Sequence, residues 1–137
     1  MTEPVANLTT TEKLRILVVE DEYIVAFDIC AELESLGYQP VGPAGTVEQA
    51  ILLAETEEIL HGAVLDVNVN GREVFPVADL LTLRKVPFIF STGYDKTMLP
   101  LQYQGFAKIE KPVAMAELGD FLKSIFGQNS PTEAETT

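Results

Sequence analysis

Between Lys13 and Phe126, short apolar runs alternate with longer stretches in which apolar residues return every three or four positions. The first run, Arg15-Ile16-Leu17-Val18-Val19, is almost continuously apolar, as a strand covered by helices on both faces requires. It stops at Glu20-Asp21-Glu22. Beyond it, Val25, Ile29, Leu33 and Leu36 recur at helical spacing, and Gly37 is placed to cap that helix. Gln39 to Val41 reads as a second strand. Thr46-Val47-Glu48-Gln49 then reads as a capping box opening a helix with the stripe Val47, Ala50, Ile51 and Ala54. The third strand, Ala63-Val64-Leu65-Asp66, ends on a carboxylate. The loop Val67-Asn68-Val69-Asn70-Gly71 leads from it to a helix around Val74 to Leu83, with Pro76 in its first turn. Pro87 to Ser91 is a fourth strand ending at Thr92-Gly93, and a fifth lies near Ala107-Lys108-Ile109, before Lys111-Pro112. A last helix carries Met115, Leu118, Leu122 and Ile125. Tyr94 to Gln104 contains Pro100 and lacks a clean stripe, so the helix due there is expected to be short, irregular or absent.

Alternation of this kind predicts an α/β fold with a doubly wound, five-stranded parallel sheet, in which functional residues gather outside the carboxyl ends of the strands. The domain is expected to run over 13–126, between flexible tails at 1–12 and 127–137 that are polar or lack large apolar anchors. A length of 137 residues with 47% hydrophobic content suits one globular domain. The balance of 9 basic against 21 acidic residues gives a net charge of -12, which disfavours nucleic acid and anionic membrane surfaces as partners. A single cysteine, Cys30, excludes an intramolecular disulfide or a Cys-based zinc site and suits a reducing compartment. With no membrane-length apolar run and no signal-like start, a cytoplasmic location is expected.

The strand ends carry the chemistry. Glu20 and Asp21 follow the first strand, Asp66 the third, Thr92 the fourth and Lys111 the fifth, so the fold would bring these five side chains together. Carboxylates 4 Å apart repel by about 4 kcal/mol at an effective dielectric near 20. A hard divalent ion with oxygen ligands relieves that repulsion, and Mg²⁺ held by Glu20, Asp21, Asp66 and the backbone carbonyl of Asn68 is the natural candidate. An aspartate beside such an ion can attack a phosphoryl group, which makes Asp66 the expected nucleophile. Lys111 can pair with a phosphoryl oxygen, and the Thr92 hydroxyl can donate to another.

Val18-Val19-Glu20-Asp21-Glu22, Val64-Leu65-Asp66, Ser91-Thr92-Gly93 and Glu110-Lys111-Pro112 together resemble the four motifs of response-regulator receiver domains, over roughly Lys13 to Phe126. The resemblance implies the flavodoxin-like sheet order 2-1-3-4-5, a cis peptide at Lys111-Pro112 and phosphotransfer to Asp66 from a histidine kinase. Phe90-Ser91-Thr92-Gly93-Tyr94 resembles the hallmark of the FAT GUY receivers, many of them stand-alone proteins whose kinases are commonly of the HWE or related families, often in general stress signalling. Asp95 departs from that hallmark. Lys108 stands three positions before Lys111, where receivers usually carry an aromatic switch residue. No output domain is expected after Phe126, so the signal would pass by protein contact around Tyr94 to Phe106 and the last helix, or phosphate would simply drain from a kinase.

Other readings compete. A phosphohydrolase of the haloacid dehalogenase type also places a nucleophilic Asp at a strand end with Mg²⁺, but its general-acid Asp two residues later is here Asn68. A flavodoxin-like cofactor binder would need a phosphate loop after the first strand, where Glu20-Asp21-Glu22 repels anions. A pseudo-receiver would bind a partner without phosphorylation. His61, the sole histidine, is expected to be a solvated loop residue, and Cys30 a packing residue.

Overall fold

The computed structural model describes residues 12–93 and 99–127. Arg15–Val19 (β1), Gln39–Ala44 (β2), Gly62–Asp66 (β3), Phe88–Thr92 (β4) and Lys108–Glu110 (β5) form one parallel sheet in the order β2-β1-β3-β4-β5. Among the described residues, the α-helices are Tyr23–Ser35 (α1), Val47–Thr56 (α2), Phe75–Leu83 (α3) and Met115–Phe126 (α4). The expected flavodoxin-like order is the observed one.

Alternate residues of a strand point to opposite faces, so the continuous apolar run of β1 serves two cores. Leu17 and Val19 join Leu65, Phe88 and Phe90 in one, closed by Val47, Ala50 and Ala54 of α2 and Val77, Ala78 and Leu81 of α3. Ile16 and Val18 join Val64, Ile89 and Ile109 in the other, closed by Ile29 and Leu33 of α1 and Leu118 and Leu122 of α4.

Several local signals act as their chemistry requires. Thr46 Oγ1 accepts from the Gln49 N–H at 3.1 Å; Gln49 Oε1 in return accepts from the Gly45 N–H at 2.9 Å, one residue earlier than a strict capping box. Gly37 takes a φ of 95° just after α1. Leu36, expected on the buried stripe, is 44% exposed because the helix has already ended at that cap. β2 extends past Val41 to Ala44 through Gly42-Pro43, which an edge strand tolerates. Gly42 has a φ of 102°, and a Cβ there would lie 2.8 Å from the Ala44 nitrogen and 3.0 Å from the Val18 carbonyl oxygen, so only glycine fits. Lys111-Pro112 is cis, as expected, and so is Gly42-Pro43.

One region carries more structure than the pattern predicts. The loop after Asp66 is a small antiparallel hairpin pairing Asn68–Val69 with Arg72–Glu73. Where the fourth helix is expected to be short or irregular, the described residues hold a 3-10 turn, Leu101–Tyr103. Tyr103 is buried there, stacked on Phe75 at 4.3 Å between ring centroids and edge-on to Phe90 and Phe106, with its hydroxyl donating to Asp79 Oδ1 at 2.6 Å. Tyr94 and Asp95 lie outside the described residues, as do the expected tails apart from Glu12 and Gly127. Among the described residues, no helix is long and apolar enough to cross a membrane. Cys30 is half-buried and packs against the α1–α4 core, as expected. His61 lies in the loop before β3, as expected, but is half-buried rather than solvated: its Nδ1 accepts from the Arg15 N–H at 2.9 Å while its backbone N–H donates to the Arg15 carbonyl, which fastens the start of β1 to β3.

Candidate functional site

The register of the sheet assembles the site. Val19 pairs with Leu65, Asp66 with Ser91, and Thr92 with Glu110, so the residues that end β1, β3, β4 and β5 emerge side by side at one edge. β1 and β3 are adjacent although their helices lie on opposite faces, and a crevice opens at that switch point. Glu20 and Asp66 are almost fully buried, at 3% and 4% exposure, and Thr92 is buried beside them; Asp21 stays exposed.

Oxygens of Glu20, Asp21 and Asp66 lie within 4.8 Å of one another. Lys111 reaches across from the end of β5: its Nζ donates to Asp66 Oδ2 at 3.1 Å and lies 3.3 Å from Glu20 Oε1 and 3.4 Å from Oε2. The Lys111 N–H donates to the Thr92 carbonyl at 2.8 Å, which fixes the base of that side chain. The carboxylates also draw on local backbone. Glu20 Oε2 accepts from the Glu22 N–H at 3.0 Å, Asp66 Oδ1 from the Asn68 N–H at 3.3 Å, and Asp21 Oδ2 from the Asn70 N–H at 2.8 Å. Among the described residues, the buried Glu20 Oε1 has no hydrogen-bond partner.

Among the described residues, three carboxylates face one ammonium. At 4.8 Å, each ionised pair repels by about 3.5 kcal/mol with an effective dielectric near 20. Burial, with the Glu20 charge adding to it, pushes the Asp66 carboxyl up to about 7. Burial likewise raises Glu20. Burial also works against ionisation of Asp21, but the Asn70 N–H and other donors outweigh it and hold that carboxyl below its ordinary value. For Lys111, burial is outweighed by the hydrogen bond and charge of Asp66, so its ammonium is held more firmly than usual. The residues therefore suit a hard divalent cation: clustered oxygen donors, an excess of negative charge, and a buried carboxylate oxygen that accepts no hydrogen bond.

All the residues expected at the site are gathered at this edge, with Asn68 opening the hairpin that follows Asp66. Lys108 lies elsewhere: its ammonium donates to the carbonyls of Gln104 and Phe106, bracing the turn before β5. Sequence reasoning missed Asn70, whose backbone contact with Asp21 spans 49 residues. Its signal was the Asn70-Gly71 pair between Val69 and Arg72, a strong hairpin-turn dipeptide.

No family model matches the chain. Among curated proteins, it is similar to the transcriptional regulatory protein PdtaR of Mycobacterium tuberculosis, at 26% identity over 125 residues. That match takes in 86% of the chain but 59% of PdtaR, so the chain spans little more than half of that relative. It is also similar to the phyllosphere-induced regulator PhyR of Methylorubrum extorquens, at 35% identity over 88 residues, covering 61% of the chain and 32% of PhyR. Among solved structures, SdrG from Sphingomonas melonis Fr1 is 32% identical with a TM-score of 0.73, over 83% of this chain and 97% of that one. A CheY-like response regulator receiver domain from Methanospirillum hungatei is 25% identical with a TM-score of 0.71, over 85% of this chain and 96% of that one. With SdrG 32% identical and matched over 97% of its length, and a receiver domain matched over 96% of its own, the chain belongs to the response-regulator receiver family.

Proposed function

We propose that the chain is a phosphorylation switch in two-component signalling, with Asp66 as phosphoacceptor and the receiver unit spanning 13–126. The observation that carries this reading is the convergence of Glu20, Asp21 and Asp66 within 4.8 Å, with Lys111 bridging Glu20 and Asp66. In the transfer, an Asp66 carboxylate oxygen forms a bond to phosphorus as the phosphorus–nitrogen bond of a kinase phosphohistidine breaks. Glu20, Asp21, Asp66 and the Asn68 carbonyl would hold Mg²⁺, which neutralises charge on the carboxylates and phosphoryl oxygens. Lys111, already on Asp66 Oδ2, remains to pair with a phosphoryl oxygen, and the buried Thr92 hydroxyl donates to another.

The donor is a histidine kinase, and the hallmark resemblance at Phe90 to Tyr94 points within that class to an HWE-type kinase, a FAT GUY receiver and general stress signalling in the cytoplasm. The output is protein contact rather than turnover of a small substrate. A phosphohydrolase is disfavoured because Asn68, two residues after Asp66, cannot serve as a general acid.

Amide NMR with Mg²⁺ and beryllofluoride, a phosphoryl mimic, tests the proposal on wild type and Asp66→Asn. Shifts confined to wild type, centred on Asp66, Thr92 and Lys111 and spreading into 99–106, are expected. Equal responses in both proteins, or none beyond Mg²⁺ binding, would refute the switch.

A further inference from the structure

The hairpin after Asp66 touches two carboxylates of the site at once. At its base the Asn68 N–H donates to Asp66 Oδ1, and at its tip the Asn70 N–H donates to Asp21 Oδ2. The tip is Asn70-Gly71, with φ of 51° and 84°, so both central residues sit in the left-handed region as a type I′ turn demands. The Gly71 N–H closes back on Asn68 Oδ1 at 3.2 Å, Val69 is fully buried beneath the hairpin, and Arg72 pairs with Glu48 of α2. The tip is thus fixed from three sides.

Asp21 needs such a fixture. Glu20 and Asp66 are immobilised by burial, whereas the Asp21 side chain is exposed and would otherwise exchange rotamers freely. A ligand that must first be ordered binds a cation more weakly than one already in place. The buried Glu20 Oε1, independent of the hairpin, accepts no hydrogen bond and faces the Lys111 ammonium at 3.3 Å, which marks it as an oxygen held for a cation.

We propose that the Asn70-Gly71 turn is a positioning device for Asp21, holding its carboxylate by a backbone N–H within reach of Glu20 and Asp66 as a ligand for a divalent cation; this rests on the metal reading above. The turn, not a side chain, sets the affinity contributed by Asp21. Gly71 is the sensitive point, because a Cβ there would meet no atom within 4 Å and a substitution acts on backbone preference alone. A β-branched residue disfavours the left-handed region strongly, while asparagine tolerates it.

The test is a Mg²⁺ titration followed by amide NMR on wild type, Gly71→Val, Gly71→Asn, Asp21→Ala and the Gly71→Val/Asp21→Ala double variant. Gly71→Val should weaken Mg²⁺ affinity about tenfold, the effect typical of a group that orients a metal ligand. Gly71→Asn should restore most of it. In the Asp21→Ala background the Gly71→Val effect should vanish. In the metal-free protein, Asp21→Ala should speed hydrogen exchange at the Asn70 amide. An unchanged affinity in Gly71→Val, the same loss in both backgrounds, or an Asn70 amide indifferent to Asp21 would overturn the proposal while leaving the metal site standing. A wild type that takes no Mg²⁺ would overturn both.

Discussion

Asp66 is poised by its surroundings. Its carboxyl is pushed up to about 7, from an ordinary 3.8, by burial and by Glu20. A carboxyl raised on folding binds its proton more tightly in the native state, so its contribution to stability is present at acid pH and is lost as pH rises from about 4 through about 7. Urea denaturation of the metal-free protein at a series of pH values should show that loss, and Asp66→Asn, which has no proton to release, should show less of it. Lys111 offers a complementary prediction. Removing it strands Glu20 and Asp66, but Asp66 can take up a proton instead of remaining charged. Lys111→Ala should therefore cost up to about 3 kcal/mol at pH 8 and clearly less at pH 6, while abolishing the beryllofluoride response at both.

At the scale of elements, the segment before β5 is held by a few specific side-chain contacts. The 3-10 turn at Leu101–Tyr103 docks through one ring, Tyr103, against Phe75 at the start of α3, and Lys108 ties the turn's later carbonyls. Here the aromatic plug belongs to the turn, and β5 opens on the Lys108 ammonium where the receiver resemblance implies an aromatic residue. Tyr103→Leu removes the stack and the Asp79 hydrogen bond; hydrogen exchange should accelerate over 99–106 with β1 and β3 unchanged. On the opposite edge, Gly42→Ala forces a Cβ against the Ala44 nitrogen in a left-handed backbone. A loss of about 2 kcal/mol or more is expected in urea denaturation.

At the scale of the whole molecule, the net charge of -12 and the carboxylate cluster act together. The fold holds like charges close, a cost carried by its two cores, and a divalent cation recovers part of it. Mg²⁺ at ten times its dissociation constant should stabilise the native state by about 1.4 kcal/mol, read as a rise in the thermal midpoint. The rise should persist in a high-salt control, where screening removes general charge repulsion but leaves coordination intact. An equal rise with a monovalent salt of matched ionic strength would indicate screening alone.

The amino-acid sequence alone determined the five strands of the main sheet and the helices between them, because those follow from local apolar periodicity and from caps such as Thr46 and Gly37. It also located the reactive side chains, since Glu20, Asp21, Asp66, Thr92 and Lys111 stand at strand ends, where a doubly wound sheet exposes its chemistry. The tertiary structure alone decided what those side chains meet. The excess of carboxylates over cations depends on the strand register, and so does the raised Asp66 carboxyl. The grip of Asn70 on Asp21 and the seat of Tyr103 on Phe75 join residues far apart in sequence through a backbone N–H and a ring face. His61 was misread for the same reason, since its partner lies 46 residues away. Periodicity reports which face of an element is buried; only the assembled fold reports which atom of a distant residue lies opposite.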